Sequence, residues 1–479
     1  MTTTSTSEAL YPGAPTETRP SLLPKLAIKP WIPGPPPSIR LINALVVDPA
    51  SGSILGSNTG RNALMHTVIL NKGKFFEVRP TVEGDEIPYG EVTVVDLKGA
   101  YICPGLIDCH VHVTAVAGVK TMSELMHVSP QEVHLRTTYN LKEMLLRGFT
   151  TVRDTGGATK VLANAIEEGL IAGPRLFQCG KALSQTGGHG DFSPALSGGH
   201  ELGCCGGGDV GLFARVADGV PAVLSAVRGE LKSGADFIKV MIGGGVASET
   251  DAIETVQYTA EEIRAITTTC KQMGGKLSTA HAYTVESICH AIENGIQGIE
   301  HGNLIDEPTA SLMATNGIYL TPTLSCYSIM TRPPFEDFLP PSGKAKNKEV
   351  MKQGLKALKI ASDASVTICY GSDLLTSMQA LQTEEFTVRA SVLPSPDILR
   401  HATTNAAKML NKVDLLGTIK PEAYADLLIL NANPLEDVTV LDCPETHLLA
   451  VIKEGRVIAT SESSELSRAL QGLRLNNKV

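Results

Sequence analysis

Aromatic side chains are scarce and long apolar runs are absent. Only 4% of the 479 positions are aromatic, with Trp31 the single tryptophan, so a large core has to come from aliphatic side chains on repeating elements. No apolar run reaches the roughly 18 residues that a membrane-spanning helix needs, and no membrane partner is expected. Excess positive charge is missing too. Lys and Arg total 41 against 50 Asp and Glu, a net charge of −9, and without a basic stripe nucleic acid is not an expected partner. The ten cysteines, including the adjacent Cys204 and Cys205, lie mostly singly in apolar segments, a pattern of buried reduced thiols rather than of a disulfide framework. The start, Met-Thr-Thr-Thr-Ser-Thr-Ser, has neither a basic nor an apolar leader region, and no N-x-S/T sequon occurs. A cytoplasmic location is therefore expected unless a leader was removed.

What is present divides the chain into five parts. Residues 1–38, rich in Thr, Ser and Pro and including Pro33-Gly-Pro-Pro-Pro37, cannot bury enough apolar surface to order themselves and are expected to form a flexible or strap-like tail. Short β-rich runs punctuated by Gly, Asn, Asp and Pro fill 39–103, and the same pattern returns over 411–462. Together they predict one small antiparallel β-sandwich built from both chain ends, with 463–479 as a C-terminal tail. Between 104 and 410, strand-like runs alternate with helical patterns. Eight strands are expected at 106–112, 150–155, 175–180, 236–242, 276–282, 295–301, 317–324 and 367–373. Ser129-Pro-Gln-Glu132 and Thr259-Ala-Glu-Glu262 read as capping boxes, with Gly274 and Gly295 at helix ends. Eight such units in a row predict an α/β fold, a (β/α)8 TIM barrel, whose chemistry lies at the C-terminal ends of the strands.

That rule selects the polar residues that end apolar strands. His110 and His112 close the run Pro104-Gly-Leu-Ile-Asp-Cys-His-Val-His112, and period-two alternation sends both imidazoles to one face. Two converging imidazoles make half of a first-row metal site, although an isolated pair is equally compatible with two hydrogen-bonded structural histidines. Strand four carries Lys239, which by itself reads as a ligand or as a snorkelling rim lysine. Strand five ends in His281, strand six in His301 and strand eight in Asp373. Five strand ends offering ligands around one barrel mouth predict a metal centre.

These motifs, with Ile238-Lys-Val-Met241, Gly243-Gly-Gly245, Ile299-Glu-His-Gly302 and Gly371-Ser-Asp373 in that order, resemble the amidohydrolase superfamily in its binuclear, carboxylated-lysine subtype. Leu183-Ser-Gln-Thr-Gly-Gly-His-Gly-Asp191 and Gln257-Tyr-Thr259 are similar to the branch of Xaa-Pro dipeptidases and fungal ochratoxin-cleaving enzymes. The resemblance implies two zinc or other divalent ions, with His110, His112 and Asp373 on one, His281 and His301 on the other, and Lys239 as a carbamate bridging both beside a hydroxide. It further implies cleavage of a C–N amide bond in an N-acyl amino acid, dipeptide or ochratoxin-like small molecule, with Asp373 as general acid and base, in what is commonly a homo-oligomer. The same centre is able to attack a lactone, cyclic amide or phosphotriester. A non-catalytic scaffold is disfavoured because all six ligand positions are filled.

For substrate contacts the reading singles out His189, in a Gly-rich loop, and Tyr258, ahead of a helix. A solvent-facing histidine and a packing tyrosine are the competing readings. Two loops are expected to set specificity: 194–212, read as a lid, and 331–346, whose aromatic and basic groups suit an apolar side chain or a carboxylate.

Overall fold

The computed structural model describes residues 29–56, 64–88, 90, 92–192, 213–249, 251–461, 466 and 469–470. Most of the N-terminal tail, the 194–212 loop and nearly all of the C-terminal tail lie outside the described residues. Strands β1 (Ile39–Asp48), β2 (Ser53–Ile54), β3 (His66–Asn71), β4 (Lys74–Pro80), β5 (Thr93–Asp96) and β6 (Tyr101–Pro104) precede the central region. There follow β7 (Leu106–Val111), β8 (Phe149–Asp154), β9 (Arg175–Gln178), β10 (Ala182–Ser184), β11 (Ala214–Val216), β12 (Ile238–Met241), β13 (Ser278–Ala282), β14 (Gly298–His301), β15 (Tyr319–Thr321) and β16 (Thr367–Ile368). The chain closes with β17 (Leu427–Leu430), β18 (Leu448–Lys453) and β19 (Arg456–Thr460).

Each of the eight expected central segments carries a strand, and all pair in parallel with helices between them. Every residue of β7, β8, β12, β13 and β14 is buried, as expected of parallel strands covered on both faces, so none of them alternates between core and solvent. Two short strands, β10 and β11, were not anticipated. The ladders form a seven-stranded sheet, β11-β10-β12-β13-β14-β15-β16, and a three-stranded sheet, β7-β8-β9. Where one continuous barrel ladder was expected, single backbone bonds span the gaps. Asp236 donates to the Gln178 carbonyl, Cys109 to that of Tyr370 and Asp373 to that of His110, each at 2.8 Å. The register of β7 against β8 slips twice, between Leu106 and Ile107 and between Asp108 and Val111, and such bulges re-aim side chains at the cost of ladder regularity.

Of the two expected capping boxes one forms fully. At the other, the Ser129 side chain accepts from the Glu132 amide, but the Glu132 carboxylate pairs with Arg136 and not with the Ser129 amide. The Thr259 side chain accepts from the Glu262 amide while Glu262 reaches back to the Thr259 amide, a complete capping box on helix Ala260–Gln272. Gly274 and Gly295, at φ of 97° and 92°, take the left-handed conformation just past two helix ends.

Both chain ends meet in a nine-stranded sheet, β19-β18-β17-β6-β1-β3-β4, with β2 and β5 also on β1. The antiparallel expectation needs correcting, because β1 pairs in parallel with β5 and β6. β1 spans both parts of this ladder: its first half meets β3 and β5, its second half β6. Ile39, Leu41, Ile102, Leu427 and Ile452 form a separate aliphatic core there. Arg175 on β9 bonds Asp426 at 2.6 Å and pairs with Glu454 beside β18, tying the end sheet to the central strands. From the tail, Lys29 and Trp31 both contact Glu168, so this part lies against the body as a strap. Among the described residues no helix is long and apolar enough to cross a membrane.

Candidate metal centre

The two imidazoles at the end of β7 are held from behind and point at one carboxylate. His110 Nδ1 sits 2.9 Å from Glu300 and His112 Nδ1 2.9 Å from the Gly156 carbonyl. Acceptors at both Nδ1 positions fix the tautomers and leave both Nε2 atoms as lone-pair donors. Each Nε2 is 3.4 Å from the same Asp373 oxygen. His301 Nδ1 lies 4.0 Å from the other Asp373 oxygen and 2.7 Å from the Thr323 hydroxyl. His110, His301 and Asp373 form a compact group, one ligand atom each, all within 4.8 Å. Asp373 is expected with His110 and His112 on one ion, whereas His301, expected on the other, is the residue that completes this compact group.

His281, Lys239 and His189 line the same cavity. The His281 and His301 rings are 4.5 Å apart, and His189 stacks on His281 at 4.1 Å. Register explains the convergence: Lys239 pairs with Thr279, Met241 with His281, and His281 with Glu300, so neighbouring parallel strands end at one level. His301 and Asp373 have φ of 75° and 50°, a conformation that costs a non-glycine residue about 1 kcal/mol or more and clusters at functional sites.

Electrostatics suits cation binding. Burial pushes the His281 and His301 imidazoles well below their usual pKa, helped by neighbouring histidines and Lys239, so both are neutral donors. Burial opposes ionisation of Asp373, but His110, His112 and His301 outweigh it and hold the carboxyl well below the usual carboxylate range. Burial lowers the Lys239 amine, which favours a neutral nitrogen. Burial also lowers His189, to about 4. Neutral imidazoles on His281 and His301, an ionised carboxylate and an amine short of charge fit a divalent metal centre.

Glu300 is a functional residue that strand-end reasoning passed over. It is fully buried, accepts from His110 and takes Arg153 Nη2 at 2.5 Å. Burial would raise its carboxyl, yet Arg153, Lys239 and His110 keep it well below the usual range. Two further buried carboxylates fix backbone. Asp108 accepts from the His110 and Ser372 amides at 3.0 and 3.2 Å, and Asp154 from the Val113 amide at 2.7 Å. A charged residue inside an otherwise apolar buried strand was the available signal for all three.

His189 reaches the cavity as expected, its Nδ1 2.8 Å from the Ser248 hydroxyl. A Cβ on Gly245 would lie 1.9 Å from that Nδ1, and one on Gly244 1.7 Å from the Ala252 carbonyl oxygen, which explains the glycine run after β12. Tyr258 departs from its expected role. Its hydroxyl donates to the Ala217 carbonyl at 3.0 Å and the residue is not among those lining the cavity. Burial between strand and helix uses its one donor internally. Tyr283 and Tyr327 line the cavity instead.

Residues 101–458 match the family described as Amidohydrolase family. The chain belongs to the amidohydrolase family. This amidohydrolase is 32% identical over 357 residues to ochratoxinase of Aspergillus niger, spanning 72% of this chain and 74% of that protein. A prolidase solved in complex with N-methylphosphonate-L-proline is 39% identical, with a TM-score of 0.81 over 88% of this chain and all (100%) of the other. The structure of A. niger ochratoxinase superposes with a TM-score of 0.75 at 26% identity, covering 90% and 98% of the two chains. Family and branch are thus those the motifs implied, and the architecture is TIM-barrel-like α/β.

Proposed function

We propose that this amidohydrolase is a metal-dependent enzyme that cleaves the C–N bond of a small-molecule amide in the cavity at its strand ends. The observation that carries the reading is the pair of Nε2 atoms, on His110 and His112, each 3.4 Å from one Asp373 oxygen with neutral His281 and His301 beside them. His110, His112, His281, His301, Asp373 and Lys239 are the residues that would hold two divalent ions, for which imidazole and carboxylate favour zinc. When bound, such ions supply a Lewis acid and lower the pKa of water towards neutrality. Lys239 fits as a bridge once its neutral amine adds to CO2, forming an N–C bond and releasing one N–H proton. An ammonium that repels cations thereby becomes an anion that binds them.

The protein's own groups account for the remaining steps. Asp373 would accept a proton from the attacking water at its carboxylate as the water oxygen bonds to the amide carbon, and return it to the nitrogen as the C–N bond breaks, giving a carboxylic acid and an amine. His189, anchored through Nδ1 at the Ser248 hydroxyl, lines the pocket and helps to position the substrate. Cavity walls of Met122, Phe213 and Met241 exclude bulk water, which strengthens each polar contact. We read β7–β9 and β12–β16, eight of the ten strands in the two parallel sheets, as one barrel over 104–410, and the end sheet as its β-sandwich companion over 39–103 and 411–462.

The test is a panel of amides assayed with the zinc-loaded protein and two variants. Turnover of at least one amide is expected, falling about 100-fold or more in Asp373→Asn and to background in Lys239→Ala. The reading fails if no amide in the panel is cleaved, or if Lys239→Ala turns over like the parent.

A further inference from the structure

Resting on that reading, we propose that Lys346 is a positioning residue: its ammonium, acting through Asp251 and Ser248, holds the His189 imidazole at the cavity wall. The arrangement centres on the Asp251 carboxylate, which is buried. It accepts from the Ser248 hydroxyl, from the Gly245 amide at 2.9 Å and from Gln257 Nε2 at 3.1 Å. Ser248 has one proton to give, and a carboxylate is a stronger acceptor than the Gly245 carbonyl, which lies 3.4 Å away. With that proton committed to Asp251, the Ser248 oxygen is left to accept from His189 Nδ1 at 2.8 Å. Gln257 closes the circle, since its Oε1 accepts from the His189 amide at 3.0 Å. Ring and backbone of His189 are thus both referred to one carboxylate.

Lys346 fixes the loop that carries this carboxylate. Its Nζ donates to the backbone carbonyls of Gly245, Ser248 and Asp251 at 2.9, 2.8 and 2.6 Å and lies 3.7 Å from the Asp251 side chain. An ammonium has three protons, and three converging carbonyls use them all, so the loop wraps one cation. Lys346 belongs to the helix Pro341–Asp363, where a Cβ on Gly343 would lie 2.8 Å from the Val246 carbonyl oxygen; helix and loop meet backbone to backbone. The other two cations of 331–346 act at the surface. Arg332 spans both oxygens of Glu384 at 2.5 and 2.6 Å and Lys344 bonds Asp337 at 2.9 Å, each with its side chain 46% exposed against 15% for Lys346. Phe338 and Leu339 of the same segment line the cavity together with Val246, Ala247 and His189. One ammonium therefore locks three pieces of wall to each other, and its loss frees the imidazole to turn. A misplacement of about 1 Å in a positioning group is enough to cost about 100-fold in rate.

The test compares Lys346→Met, His189→Ala and the double variant as zinc-loaded full chains. Lys346→Met is expected to lower kcat/KM about 10–100-fold at unchanged zinc content. In the His189→Ala background it is expected to cost less than about threefold more, because the group it positions is gone. Lys346→Met as active as the parent, or a full penalty in the His189→Ala background, overturns the inference. Should Lys346→Met not fold, Ser248→Ala removes the Nδ1 acceptor alone and repeats the cycle with the same outcomes. NMR of protein carrying isotope-labelled histidine reads the imidazole without turnover. The His189 ring is expected to hold its proton on Nδ1 in the parent, and its nitrogen signals to shift in Lys346→Met or Ser248→Ala; unchanged signals overturn the inference. If the signals move while no amide is cleaved by the parent, the positioning role stands and the hydrolase reading falls.

Discussion

Glu300→Gln is the sharpest perturbation of the site that leaves every candidate ligand in place. The carboxylate serves two donors, His110 Nδ1 at 2.9 Å and Arg153 Nη2 at 2.5 Å, with all three side chains at most 1% exposed. An amide of the same shape has one acceptor oxygen and one donor nitrogen. It satisfies either His110 or Arg153 and opposes the other donor to donor. If the oxygen keeps His110, the Arg153 charge is left with the Cys109 carbonyl at 2.6 Å and the Phe237 ring at 4.7 Å. Breaking one side of a buried ion pair costs about 3–5 kcal/mol. If the oxygen turns to Arg153, His110 loses its orientation and metal affinity falls about 10–100-fold. Urea denaturation of the stripped protein and competition for zinc against a chromophoric chelator read the two losses separately. Adding Arg153→Met to Glu300→Gln removes the stranded charge and is expected to recover part of the stability. Wild-type stability together with wild-type zinc affinity in Glu300→Gln would refute the reasoning, and so would a double variant less stable than the single one.

Three other expectations follow from the same geometry. Gly245→Ala, with a Cβ placed 1.9 Å from His189 Nδ1, displaces that imidazole and lowers kcat/KM about 10–100-fold at unchanged zinc content; adding His189→Ala should cost little more. Tyr258→Phe loses a bond to a backbone carbonyl and about 0.5–1.5 kcal/mol of stability, while kcat and KM stay as they were; a marked rise in KM would return Tyr258 to the substrate site. In the end sheet, Arg79 at 2.6 and 2.7 Å, with Val82 and Thr67, holds the Asp85 carboxyl below its usual range. A folded-state value below the unfolded one of about 3.9 gives stability that is present above it and lost as pH falls through the folded value. The stability gap between the parent and Asp85→Asn should accordingly narrow below about pH 4; a gap independent of pH would contradict the assignment.

How far the chain could be read depended on whether a property was local. His110, His112, Lys239, His281, His301 and Asp373 were legible because each is a polar residue in or just beyond an expected barrel strand, and parallel register does the rest. The ladder itself was less legible. β10 and β11 are three residues each and owe their existence to partners rather than to pattern, and the β7 bulges come from contacts with β8. Glu300 sits next to a residue that was identified, yet its role depends on Arg153, 147 positions away. Tyr258 shows the converse error. Its neighbourhood in the sequence looked like a substrate loop, and only the fold reveals that its hydroxyl meets Ala217. The basic residues of 331–346 misled in the same manner, since a sequence displays charges without their partners.

The most direct measurement is amide turnover against metal content, taken on protein stripped with chelator and reloaded stepwise with zinc in the presence and absence of bicarbonate. The account predicts no turnover when stripped, recovery that tracks loading to about two ions per chain, and dependence of that recovery on bicarbonate. Turnover that survives complete stripping would contradict it.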